Sequence, residues 1–215
     1  KERLITDNPD APHARPYLEG RDIGRYSVKP TGCYIRYLPD EMYSPRTPAL
    51  FEAKKLESQT MLSKMRLVAT LDDHGYYVEQ SLLCVIPHGI LTPCIDLPQY
   101  SLEFVLGIMN STLSSFYYAT WIIDYSLGGG LVHATPGSQG KLLVPKIGPT
   151  KTAGIVGCVR DLLDLHKQLA AAKTPTDKTA LQRQIDATDR RIDRLVYELY
   201  DLTDDEIRIV EEATK

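Results

Sequence analysis

Long apolar runs are missing from this sequence. None approaches the roughly 20 residues of a membrane-spanning helix, and the longest, such as Ser81–Pro87, have the length of a buried strand. Cysteine is scarce: Cys33, Cys84, Cys94 and Cys158, with no C-x-x-C pair. That excludes a zinc knuckle and a secreted disulfide scaffold, and points to reduced, mostly buried thiols in a cytoplasmic protein. An excess of basic charge is also lacking. Lys plus Arg is 25 against 28 Asp plus Glu, a net charge of −3, so a polyanionic partner has to be met by a local patch. There is no initiator Met and no signal-peptide pattern, and the chain is expected to be part of a longer protein. What is present is globular: 215 residues, 43% hydrophobic and 25% charged. That is enough for a core needing neither disulfide nor metal.

Strand signals fill the first two thirds. Prolines at 9, 12 and 16 make residues 1–16 an extended lead-in. Cys33–Leu38 alternates as a strand, Leu67–Leu71 and Tyr76–Gln80 flank Asp72-Asp73-His74-Gly75 as a β-hairpin, and Leu82–Ile86 reads as a buried strand. Ser101 caps a helix running through Leu102, Val105, Leu106, Met109, Leu113 and Phe116. A glycine-rich loop from Gly128 to Gly140 leads to a strand at Leu142–Ile147. From residue 150 the pattern turns helical. Ile155, Val159, Leu162, His166 and Leu169 form one stripe; Leu181, Ile185, Thr188, Ile192, Leu195, Leu199 and Leu202 form a heptad seam. Thr174-Pro175-Thr176-Asp177 opens the second helix, and Thr203-Asp204-Asp205-Glu206 is a capping box for a short last one. The expected fold class is α+β: a β-rich domain over residues 1–149, then an α-helical hairpin with a terminal helix over 150–215. The seam should pack within the chain first, with dimerisation through the hairpin as the second reading.

Catalytic patterns are mostly absent. There is no H-E-x-x-H, G-x-S-x-G or Walker loop, and Gly128–Gly130 does not lead from a strand into a helix. Pro39-Asp40 followed by Glu52-Ala53-Lys54 fits the loose PD…(D/E)-x-K pattern, in which carboxylates hold Mg²⁺ and a lysine polarises water. Pro45 and Pro48 interrupt it where a strand hairpin is needed. A metal-dependent nuclease is therefore an alternative reading, as is a protein-interaction scaffold built on the hairpin. His13, His74, His88, His133 and His166 have no ligand spacing.

Basic and aromatic residues interleave between positions 17 and 81. The candidate DNA contacts are Arg21, Arg25, Arg36, Lys54, Lys55, Lys64, Arg66, Tyr76 and Gln80. Arg and Gln can read guanine and adenine edges in the major groove, whereas Lys and Tyr hold phosphates. In this reading Arg36 and Gln80 read bases, and Lys55 and Lys64 hold phosphates.

Five stretches in order resemble a known family. They are Leu18-Glu19-Gly20-Arg21-Asp22-Ile23-Gly24-Arg25-Tyr26; Lys54-Lys55-Leu56 with Arg66–Asp72 and the Gly75–Val78 turn; Leu106-Gly107-Ile108-Met109-Asn110-Ser111 with Phe116-Tyr117-Tyr118; Leu143-Val144-Pro145-Lys146-Ile147; and Ile192–Thr203. Together they resemble the TaqI-like C-terminal specificity domains, and Asp201 stands where that pattern usually has glycine. The resemblance implies a target-recognition domain of an adenine-specific DNA methyltransferase in a restriction–modification enzyme. Double-stranded DNA would be its partner. Catalysis would lie in an upstream methyltransferase domain of the same chain, with endonuclease activity in the parent where a nuclease is fused. No cofactor is expected in residues 1–215 themselves; S-adenosylmethionine, and Mg²⁺ with a fused nuclease, would serve the parent protein. The family's Asn-Pro-Pro-Tyr motif is absent; Asn8-Pro9-Asp10 does not match it.

Overall fold

The computed structural model describes residues 2–62, 66–87, 100–122, 126–127 and 131–214. Lys64, His88, Cys94 and Gly128–Gly130 lie outside them. Among the described residues the chain forms, in order, β1 (Ile5–Thr6), β2 (Ala14–Leu18), β3 (Ile23–Gly24), β4 (Ser27–Val28), β5 (Tyr34–Arg36), α1 (Pro48–Glu52), β6 (Lys55–Gln59), β7 (Met61–Leu62), β8 (Ala69–Asp72), β9 (Tyr77–Val78), β10 (Leu82–Val85), α2 (Leu102–Asn110), α3 (Thr112–Tyr117), β11 (Ser126–Leu127), β12 (Leu131–His133), α4 (Pro136–Gln139), α5 (Pro149–Ala171), α6 (Pro175–Leu199) and α7 (Asp204–Ala213). Small mixed sheets precede a long helical pair, so the class is α+β. No helix among the described residues is long and apolar enough to cross a membrane.

The sheets run β1-β5-β2-β9, β10-β6-β8, β11-β12-β7 and β3-β4. In the second sheet Leu56 stands opposite Leu71 and Val85, and these residues face the main core with Ala69. Strand alternation sends Lys55 and Glu57 to the other face. There Lys55 stands opposite Asp72, and Glu57 opposite Thr70 and Cys84. The core continues from this sheet through Phe104, Leu106, Ile108 and Met109 of α2 to Ile155, Val159 and Leu162 of α5 and Ile185, Ile192 and Val196 of α6. The hairpin seam is therefore buried against α5 and α2. Gly107 permits this crossing: a Cβ there would lie 2.5 Å from Ile155 Cγ2 and 3.1 Å from Val159 Cγ2.

The helix caps expected from the sequence form as read. Ser101 accepts the Phe104 amide, Thr174 accepts the Asp177 amide, and Thr203 with Glu206 closes a capping box. Four local expectations need correction, the first being that the loop expected from Gly128 to Gly140 carries β12 and α4. The Asp72–Gly75 turn does not close a hairpin. The Asp72 carboxylate accepts the amides of His74, Gly75 and Tyr76, Gly75 takes φ +75°, and the chain crosses to pair β9 parallel with β2. The helix from Leu102 does not run through to Phe116. Ser111 adopts extended geometry (ψ 153°) and caps α3 through the Ser114 amide. Leu142–Ile147 is not a strand. It is an extended segment whose carbonyls at Leu143 and Pro145 accept the hydroxyls of Tyr200 and Tyr100.

Asp201 is left-handed, at φ +52°. The Leu202 amide bonds back to the Tyr197 carbonyl and the Asp201 amide to the Glu198 carbonyl, which is a Schellman ending for α6. That conformation suits glycine, which explains why glycine is usual at this position in the pattern.

Candidate nucleic-acid interface

Two of the sequence-selected residues, Arg21 and Gln80, lie on loops joined by the Gly20–Ser81 hydrogen bond. Arg21 sits on a single helical turn, Gly20–Asp22, held from every side. Asp22 Oδ2 accepts the Glu19 amide (2.8 Å), and Gln59 Nε2 donates to the carbonyls of Gly20 (2.6 Å) and Ile23 (3.2 Å). The Gly20 amide donates to Ser81 Oγ (2.9 Å). Ser81 belongs to the turn that carries Gln80. Thr60 fixes that turn too, its hydroxyl donating to the Gln80 carbonyl (3.0 Å) and its amide to the Ser81 carbonyl (3.0 Å). Arg21 and Gln80 are thus exposed side chains on two mutually braced loops. Between the loops lies a cleft of about 320 Å³ lined by Glu19, Gly20, Arg21, Gln59, Met61, Glu79 and Ser81.

Within this platform the Arg21 guanidinium is aimed. It is 73% exposed and pairs at 3.1 Å with Glu19, whose side chain is 24% exposed. The Glu19 contact engages one guanidinium nitrogen and leaves the other donors open to solvent; two-point recognition of a base edge uses such a fork. Met61 stands exposed beside it on β7, whose partner β12 carries exposed His133.

Other candidates are turned inward. Arg25 makes a two-point ion pair with Asp189 of α6 (2.7 and 2.8 Å) and donates to the Asn110 carbonyl (2.6 Å). Its contacts are with the hairpin, so in this conformation it holds the fold instead of a phosphate. Lys55 is fully buried, paired with Asp72 and Glu57 and donating to the Phe51 carbonyl. It can reach no phosphate, because strand alternation points it inside. Lys54 is exposed but pairs with Glu103 of α2 (3.1 Å). Arg66 is half-buried, reaches Thr112 Oγ1 at 3.5 Å, and has an unpartnered buried Nε. Arg36 is half-buried on β5, also with an unpartnered buried Nε. Tyr76 is half-buried, 5.8 Å from the ring of His74. Tyr77, another of the interleaved aromatics, stacks on Phe51 at 4.5 Å and meets Tyr37 at 5.0 Å, so this trio packs.

Sequence reasoning missed Glu19, Gln59, Met61 and Ser81, which build the cleft. Glu19 lies two residues before Arg21, a spacing that could have marked it. The others come from β6, β7 and the Gln80–Ser81 turn, distant in sequence. It also missed the junction that holds the hairpin. The Asn110 side chain exchanges two 2.9 Å hydrogen bonds with the Ala69 backbone, and Asp193 accepts the Thr112 amide and hydroxyl, both at 2.8 Å.

The residues of the nuclease pattern are dispersed in role. Asp40 stands exposed on the turn Pro39–Glu41, Glu52 accepts the Tyr77 hydroxyl, and Lys54 is paired with Glu103. No group of three His, Cys, Asp or Glu able to hold a metal occurs among the described residues.

Comparison with known families decides the identity. The TaqI-like C-terminal specificity domain matches residues 15–128, just over half the chain. The chain belongs to that family. None of the curated proteins compared matches it. Membership makes this a DNA-specificity module of restriction–modification enzymes. The matched span holds the Arg21 platform, the β6–β8–β10 sheet, α2 and α3. In this specificity domain the residues that carried the resemblance (Gly20, Arg25, Tyr26, Gly107, Asn110, Ser111) are mainly architectural: they brace a loop, cross helices or bind backbone.

Proposed function

We propose that the specificity domain reads DNA sequence in the major groove through the braced Arg21–Gln80 platform. Arg21 would donate in two-point fashion to guanine O6 and N7, and Gln80 would pair with adenine N6 and N7. Each such pair discriminates by about 1–3 kcal/mol. The observation that supports this reading is the Gly20–Ser81 hydrogen bond, because it joins the two loops that carry these side chains before DNA arrives. Pre-organised groups lose less freedom on binding, so more of their interaction energy appears as selectivity.

The parent enzyme in this reading is an adenine-specific methyltransferase. S-adenosylmethionine and the catalytic motif belong to an upstream domain of the same chain, which flips the adenine out of the stack while the specificity domain holds the duplex. Arg36, Lys64 and Arg66 remain candidates for supporting contacts.

Selection of bound duplexes from a random-sequence library by this 215-residue chain tests the proposal. Enrichment of one short motif containing at least one guanine is expected. A bound pool as random as the input would overturn it.

A further inference from the structure

Charge is segregated across α6. Ile185, Ile192 and Val196 are buried against the core. The three acids of the central turns are engaged toward the body or along the helix: Asp189 with Arg25, Asp193 with Thr112, and Asp186 with Gln182. The opposite face carries Arg183, Ala187, Arg190 and Arg194, all exposed. Steps of four, three and four place these residues on one stripe of the helix. At about 1.5 Å per residue, the first and last arginines are roughly 16 Å apart along the axis. Among the described residues Arg183, Arg190 and Arg194 form no ion pair, unlike Arg21, Arg25, Lys54 and Arg208. Ala187 keeps the ridge between them low.

We propose that Arg183, Arg190 and Arg194 form a second DNA-contacting surface that follows the phosphodiester backbone without reading sequence. A row of unneutralised guanidiniums on a straight helix complements a continuous line of phosphates, and each fork can take two phosphate oxygens. The net charge of −3 makes such a local patch the route by which this chain attracts a polyanion. The proposal rests on the DNA-binding reading but assigns contacts outside the recognition cleft and outside the matched span.

The test is the triple variant Arg183→Gln, Arg190→Gln, Arg194→Gln in the 215-residue chain. A random-sequence 30-bp duplex serves as probe, and fluorescence anisotropy is followed from about 50 to 200 mM salt. Each lost phosphate contact lowers the log–log salt slope by about 0.9, so the slope should fall by roughly 2–3. Affinity for random and selected duplexes should fall by the same factor, with the selected motif unchanged. The matching triple lysine variant should keep most of the slope, which separates loss of charge from damage to the helix. A glutamine variant with the wild-type slope and affinity overturns the proposal, even if binding to an acidic protein partner is lost. The two readings fail separately. Absence of a selected motif for the wild type counts against the recognition cleft, whereas an unchanged slope counts against the arginine stripe.

Discussion

Replacing Arg25 by alanine separates a structural arginine from a DNA contact. Its guanidinium spans Asp189 in two-point geometry and caps the Asn110 carbonyl, joining β3–β4 to α2 and α6. The side chains of Arg25 and Asp189 are 19% and 23% exposed. A fully buried pair broken on one side costs about 3–5 kcal/mol, and an exposed pair about 0–1. Four-fifths shielding, with a carbonyl also left unpaired, places Arg25→Ala at about 2–3 kcal/mol. For a chain of this size that is a drop in Tm of roughly 5–10 °C. Asp189→Ala should cost a similar amount, and the double variant should lose less than the sum by about 1–2 kcal/mol, because each single change strands the other charge. Arg25→Lys should recover only part of the loss, since an ammonium cannot hold both carboxylate oxygens and the carbonyl. Thermal unfolding followed by circular dichroism reads all four variants. An unchanged Tm for Arg25→Ala, with DNA affinity lost, would refute the structural assignment and return Arg25 to the DNA surface.

Burial pushes Glu57 up to about 8, against the attraction of Lys55 and with the repulsion of Asp72. Its Oε2 has no partner. The folded chain therefore keeps this proton while the unfolded chain releases it above about 4.5, the ordinary carboxylate value. Stability should fall as pH rises through that window, by at most about 1.4 kcal/mol per unit, and level off above it. Glu57→Gln should remove this slope, so the variant's urea midpoint gains on the wild type between pH 5 and pH 8.5; parallel profiles would contradict the assignment. Asp201→Gly should raise stability by about 0.5–1 kcal/mol, because it relieves a left-handed non-glycine residue at the α6 ending. A lower urea midpoint would show that the Asp201 side chain contributes something the backbone geometry does not reveal.

Local signals were legible and distant ones were not. Ser101, Thr174 and Thr203 cap helices through bonds spanning three residues, so the sequence contains the whole interaction. The seam through Ile185 and Ile192 was legible because its period is that of the helix. The resemblance in five stretches led to the right family, although the matched span ends at residue 128. Arg25 read as a surface cation because its partner lies 164 residues away. Lys55 read as a phosphate contact because neither its register against Asp72 nor the cover from Phe51 is visible in the strand itself. Within the candidate site, Arg21 and Gln80 were both picked by residue type. The link between their loops depends on Ser81 meeting Gly20, a contact no periodicity encodes.

Repeating the duplex selection with Arg21→Ala and, separately, Gln80→Ala tests most directly whether this platform reads sequence. The account predicts a motif of the same length in which Arg21→Ala relaxes one guanine position and Gln80→Ala relaxes one adenine position, with the remaining positions intact. Both variants selecting the wild-type motif with undiminished preference at every position would contradict it.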